Sequence, residues 1–167
     1  MKKLHLIRHA KSSWRDGTLP DIERPLNKRG LKSCPIMAQQ IRKAGCSFEH
    51  VFCSPAVRAQ TTIENIAQHL KVKHDLAITW TVDRALYTFE AENLLTWCHT
   101  LDEAMTEVVI VGHNNAITDF TNQVGDHIID NVPTCGYVQL TLHNPKWTEL
   151  SANSAELVSF LKPKMFM

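Results

Sequence analysis

The chain has 167 residues, of which 44% are hydrophobic and 21% charged, and its formal net charge is +1. That length is most simply one domain spanning 1–167 with a single sizeable core, and a near-even charge balance excludes a nucleic-acid or acidic-membrane binder driven by bulk electrostatics. The longest unbroken aliphatic run, Val108 to Val111, is far short of a membrane span, and Met1-Lys2-Lys3 leads into a strand pattern rather than a signal-peptide apolar region, so a soluble, cytoplasmic protein is expected.

Residues 3–8 read as a strand that stops abruptly at Arg8-His9, with small and hydroxylic residues following. The loop from Lys11 to Asn27 is long and polar and is broken by Gly17, Pro20 and Pro25. Connections of that length are usually functional or mobile. Asn27 suits the cap of a helix whose apolar positions Leu31, Cys34, Ala38 and Ile41 recur at helical spacing and which ends near Gly45. Pro35 inside it predicts either a kink or a true start near Ser33.

Val51-Phe52-Cys53 is a second short strand, after which Ser54-Pro55 offers a capping hydroxyl and a proline for the first turn of a helix running through Ile63, Ile66, Ala67 and Leu70. Arg58 then falls in that first turn, near backbone amides receptive to anions. Residues 78–82 alternate as a strand, 83–90 are irregular, and 91–101 read as a helix. Residues 107–112 are apolar on both faces, as a central strand in a covered sheet should be, and end at Gly112-His113-Asn114-Asn115. Asn114 or Asn115 suits the cap of a helix carrying Ile117, Phe120 and Val124.

Beyond a turn-rich loop at 130–135, two strands at 137–143 and 156–161 follow without a crossover helix, which predicts an antiparallel edge on an otherwise parallel α/β sheet. Five cysteines, Cys34, Cys46, Cys53, Cys98 and Cys135, show no CxxC spacing or metal-ligand register and read as reduced, packed residues.

In an open parallel sheet, ligands bind beyond the carboxyl ends of the strands. Three strands here end in Arg8-His9, in Ser54 to Arg58, and in His113. Two imidazoles and two guanidiniums at one edge suit a dianionic phosphoryl group, because arginine offers planar paired donors and keeps its charge. A histidine can attack phosphorus if its reacting nitrogen is unprotonated and the other nitrogen is held by an acceptor. No metal or other cofactor is required for that chemistry, and the sequence lacks the clustered carboxylates that Mg²⁺ needs.

The segments LIRHAKSSW at 6–14, ERPLNKRG at 23–30, SPAVRAQTT at 54–62 and VGHNNAITDF at 111–120 resemble, in order, the motifs of the histidine phosphatase superfamily. The short chain, the RPL segment and Pro133-Thr134 are most similar to its phosphohistidine phosphatase branch, typified by SixA. The resemblance implies a phosphoglycerate mutase-like fold, a three-layer α/β/α sandwich. It makes His9 the phosphorylated nucleophile, Arg8 and Arg58 phosphate clamps, and His113 a second catalytic histidine, with Arg24, Ser54 and Asn114 as further phosphate-binding candidates. Ala10 stands where most of the superfamily has glycine.

Many relatives use a carboxylate to protonate an alkoxide leaving group. The candidates here are Asp83, Glu90 and Glu92, of which Asp83 lies nearest the expected place, and none sits in a matching motif. A missing acid favours phosphohistidine on a protein as substrate, since imidazole leaves more readily than an alkoxide. The alternatives are a small-molecule phosphomonoester hydrolase of the same superfamily or a phosphoprotein-binding module without turnover.

Overall fold

A computed structural model describes residues 1–167. Six strands form one sheet in the order β3-β2-β4-β1-β5-β6: β1 (Lys3–Arg8), β2 (His50–Cys53), β3 (Thr81–Val82), β4 (Glu107–Gly112), β5 (Tyr137–Leu142) and β6 (Ala155–Leu161). The first four in that order run parallel, and β5 and β6 are antiparallel to their neighbours. Four helices cover the sheet: α1 (Lys28–Lys43) packs with α2 (Val57–His74), and α3 (Ala91–His99) with α4 (Ala116–Val124). This is the mostly parallel α/β/α sandwich with an antiparallel edge that the sequence predicts.

Strand alternation divides the core in two. Leu4, Leu6, Val108 and Ile110 face Trp97 of α3 and Phe120 of α4. Ile7, Val109 and Val111 face Ile41 of α1 and Ile63 of α2. All five cysteines are reduced and buried within these layers. No helix is long and apolar enough to cross a membrane.

Register places the site. Arg8 is level with Gly112, and Cys53 with Val111, so β1, β2 and β4 end together. The connection from β1 runs towards the β3 edge and the one from β4 towards the β6 edge, which opens a crevice beyond their carboxyl ends.

Several local expectations change. Helix α1 begins at Lys28, where Asn27 Oδ1 accepts the Gly30 N–H at 2.8 Å, and it carries Pro35 in its interior rather than starting near Ser33. Pro35 falls on the eighth position past the cap, where its missing N–H removes one bond from the helix ladder. Helix α2 begins at Val57, not at Pro55, and Ser54 is not its cap. The strand expected at 78–82 shrinks to Thr81–Val82, which pair with Phe52 and Cys53 of β2.

Gly30 is where α1 touches the loop that leaves the site, since a Cβ there would collide with the Lys11 carbonyl oxygen. Gly30→Ala is expected to cost about 1–3 kcal/mol through that overpacking, read as a lowered midpoint in chemical denaturation; an unchanged midpoint would show that the loop is free to yield.

Candidate active site

Beyond the strand ends, the His9 N–H donates to the Gly112 carbonyl at 3.0 Å, so the parallel pairing of β1 and β4 extends one residue and sets His9 beside His113. The two ring centroids are 5.2 Å apart with planes inclined at 54°. Both residues are buried, as is Arg58, the second residue of α2.

The tautomers follow from their partners. His9 Nδ1 lies 2.7 Å from the Ala10 carbonyl, which only accepts, so Nδ1 carries the proton. Nε2 is then a bare lone pair, and Arg58 Nε–H donates to it at 3.3 Å. His113 Nδ1 faces Arg58 Nη2 at 3.4 Å and must accept, so its Nε2–H donates to Ser54 Oγ at 2.7 Å. Burial lowers the His9 pKa to about 4, opposed by the Ala10 hydrogen bond and reinforced by the Arg58, Arg8 and Arg24 cations. Burial, His9 and Arg58 lower that of His113 to about 3. Both imidazoles are therefore neutral at physiological pH.

The arginines are held from outside. Arg58 Nη1 donates to the Asp21 carbonyl at 2.6 Å and Nη2 to Asp21 Oδ2 at 2.9 Å, leaving its Nε edge turned to the imidazoles. Arg8 Nη1 donates to the Val132 carbonyl at 2.9 Å, while its Nε–H is buried without an acceptor and is a donor available to a ligand oxygen. Arg24 donates through Nη1 to Ser12 Oγ at 2.5 Å and through Nε to Asp21 Oδ1 at 3.2 Å, and its guanidinium lies 3.6 Å from the Trp14 ring centroid. It contributes positive potential at His9 but spends these donors on the protein.

Asp21 is the residue that sequence reasoning missed. It ties together Arg58, Arg24 and the Tyr87 hydroxyl, which donates to Oδ2 at 2.5 Å. Partial burial works to raise its pKa, but the hydrogen bonds from Tyr87 and Arg58 prevail and hold it down at about 2. Its signal in the sequence was an acid three residues before Arg24 in a short turn, here Asp21–Glu23.

Three assignments change. Ser54 orients His113 through its hydroxyl, which also accepts the Ala56 N–H at 3.2 Å, so it is a positioning residue rather than a phosphate ligand. Asn114 is saturated by the protein: Oδ1 accepts from Thr118 N and Oγ1, and Nδ2 donates to Asn131 Oδ1, which ties α4 to the loop at 130–135. Asp83 is not placed to act as an acid, because Oδ1 caps the turn at Ala85 N and Oδ2 accepts the Trp97 indole N–H, both at 2.9 Å. Glu90 and Glu92 are exposed where α3 begins. No group of three or more His, Cys, Asp or Glu side chains is placed to hold a metal ion.

Comparison with known proteins bears on the family and the fold. The family model of the histidine phosphatase superfamily (branch 1) matches residues 4–86. An uncharacterized protein of Mycobacterium leprae is 26% identical over 170 residues, covering 95% of this chain and all of that one. The structure of the protein histidine phosphatase SixA complexed with tungstate superposes with a TM-score of 0.79 at 17% identity, covering 99% of both chains. A Nakamurella multipartitia protein assigned as phosphohistidine phosphatase SixA gives a TM-score of 0.78 at 19% identity, covering 97% of this chain and 96% of that one. At such identities the two structures share a fold with this chain.

The imidazole pair makes stability fall in acid. With folded pKa values near 4 and 3 against an ordinary value near 6.5, the unfolded chain takes up protons first as pH falls below 6.5. Each imidazole should then remove roughly 1.4 kcal/mol per pH unit until its own folded pKa is reached. NMR titration of the His9 and His113 ring protons should give midpoints below 5, and midpoints near 6.5 would contradict the neutral pair. Asp21→Asn removes the charge that aims Arg58 while leaving the oxyanion pocket more positive, so steady-state kinetics should show kcat reduced about tenfold with KM unchanged or lower.

Proposed function

We propose that this chain, which belongs to the histidine phosphatase superfamily, is a metal-independent phosphatase that works through a phospho-His9 intermediate and acts on phosphohistidine carried by a protein. The observation that carries the reading is the His9 tautomer: Nδ1–H is fixed on the Ala10 carbonyl, and a neutral Nε2 faces Arg58, with the His113 ring beside it and the Arg8 charge acting on it.

In the first half-reaction, the Nε2 lone pair forms a bond to phosphorus as the bond from phosphorus to the substrate's imidazole nitrogen breaks, and the departing nitrogen keeps the electron pair. Arg58 and the free Nε–H of Arg8 neutralise charge on the equatorial oxygens during that in-line transfer. Water then attacks the phosphoryl group, the bond to His9 Nε2 breaks, and inorganic phosphate leaves with neutral His9 restored. His113, presenting an accepting Nδ1 to the pocket, is placed to accept a hydrogen bond from the attacking water.

The choice of leaving group rests on the absence of a placed acid. Asp83 is committed to Ala85 and Trp97, and Asp21 stays ionised. An alkoxide would depart unprotonated at high cost, whereas an imidazole departs as a neutral or protonated ring. A protein-borne substrate is supported by an open groove of about 810 Å³ beside the site, bordered by Lys11, Trp14, Arg15, Lys28 and Arg29 and joined to it through Arg24. A cytoplasmic location accords with five reduced cysteines.

Incubation with a labelled phosphoryl donor should trap an acid-labile, base-stable label on the denatured protein that is lost in His9→Ala; no label on the wild type would leave a binding module without turnover. Phosphohistidine and aryl phosphates should turn over at least a hundredfold faster than alkyl phosphates, and equal rates would favour the small-molecule phosphomonoester hydrolase.

A further inference from the structure

Phosphoryl transfer at this site uses nitrogen and oxygen groups, yet two aromatic rings are packed against His113. Tyr87 lies 5.4 Å from the His113 ring centroid with planes at 78°, and Phe89 lies 5.3 Å away at 52°. The two rings also meet edge to face at 5.5 Å. Neither belongs to the layer of core that covers the α3 and α4 side, and Phe89 is 44% exposed. A phenyl ring standing half in solvent against a buried imidazole forfeits apolar burial that a partner ring could restore.

The direction of transfer says what that partner is. His9 Nε2 attacks from one side, so the leaving group departs from the opposite side and must extend outwards to solvent. Tyr87 and Phe89 pack on His113, and Phe89, 44% exposed, lies between that ring and solvent. Tyr87 is fixed there by its hydroxyl bond to Asp21, which fastens it to the same carboxylate that aims Arg58. The aromatic wall and the phosphate clamp are thus built as one unit.

We propose that Tyr87 and Phe89 form a leaving-group subsite that selects planar rings attached to phosphorus, with Phe89 offering the open face and Tyr87 the fixed edge. This rests on the phosphatase reading and deepens it. Aromatic pairs at 4.5–7 Å favour offset or edge-to-face contact, which a puckered or acyclic group cannot match. A phosphorylated imidazole and a phosphorylated phenol share the recognised chemistry. The imidazole is the better fit, because Asp83 is committed to Ala85 and Trp97 and Asp21 stays ionised, so neither protonates a phenolate.

Phosphonates test the subsite without turnover, since their carbon–phosphorus bond does not break. Phenylphosphonate and cyclohexylphosphonate carry six-membered rings of similar size and differ in planarity. By calorimetry, wild type should bind the phenyl compound about three- to tenfold more tightly, and Phe89→Ala should abolish that preference chiefly by weakening the phenyl compound. Phe89→Tyr should retain the preference, and Phe89→Leu, which keeps apolar bulk without a flat face, should lose it; melting curves check that each variant folds.

Equal affinities in wild type, or equal weakening of both compounds in Phe89→Ala, would overturn the subsite while leaving phospho-His9 labelling intact. If neither phosphonate binds, the anion pocket itself is wrong and both readings fall. Among substrates, faster turnover of 1-phosphoimidazole than of phenyl phosphate identifies the imidazole as the source, and the reverse order identifies the phenol. Turnover of both at the rate of an alkyl phosphate would overturn the selection of planar rings.

Discussion

Two imidazoles and two guanidiniums share one buried pocket only if the imidazoles stay neutral. Arg58 reaches both rings through Nε and Nη2, and a proton on either facing nitrogen would set like charges within 3.4 Å in a buried site. The protein meets this constraint by giving each ring one defined proton, that of His9 on the Ala10 carbonyl and that of His113 on Ser54. Two lone pairs are thereby left facing Arg58, whose guanidinium keeps its charge beside two neutral rings.

That arrangement needs rigid support, and the sheet supplies part of it. The His9 N–H bond to Gly112 continues the pairing of β1 with β4 past their ends, and the Cys135 N–H returns to the His9 carbonyl at 3.0 Å from the other side. The Ala10 N–H is in turn bound at 2.9 Å by Thr62 Oγ1 of α2. His9 and its neighbour Ala10 are therefore fixed by hydrogen bonds to three separate stretches of chain. Asp21 supplies the rest, because a carboxylate held ionised against Arg58 and Arg24 aims cations that would otherwise repel one another.

Much of this was legible before the coordinates. Strand β1 has the limits read from its apolar run, β4 shows the two-sided hydrophobicity of a central strand, and the absence of crossover helices near the end of the chain foretold the antiparallel edge. The limits of α2 were less legible. Ser54-Pro55 has the composition of a helix start, but the hydroxyl is drawn to His113, and the helix begins three residues after Ser54. A capping residue engaged by a distant side chain carries no local mark of that engagement.

The same distinction runs through the site. The sequence by itself determined which side chains follow the strand ends, because alternation and turn chemistry are local properties, and so it grouped His9, Arg8, Arg58 and His113 at one edge of the sheet. Only the tertiary structure decided what each polar group is bonded to, since that depends on partners tens of residues away. It turned Asp83 from an acid into a cap bonded to Trp97, turned Asn114 into a tie to Asn131, and made Asp21 the hub between Arg58, Arg24 and Tyr87. Residue type limits what a carboxylate can do, and the three-dimensional neighbours that satisfy or leave free its oxygens select among those possibilities.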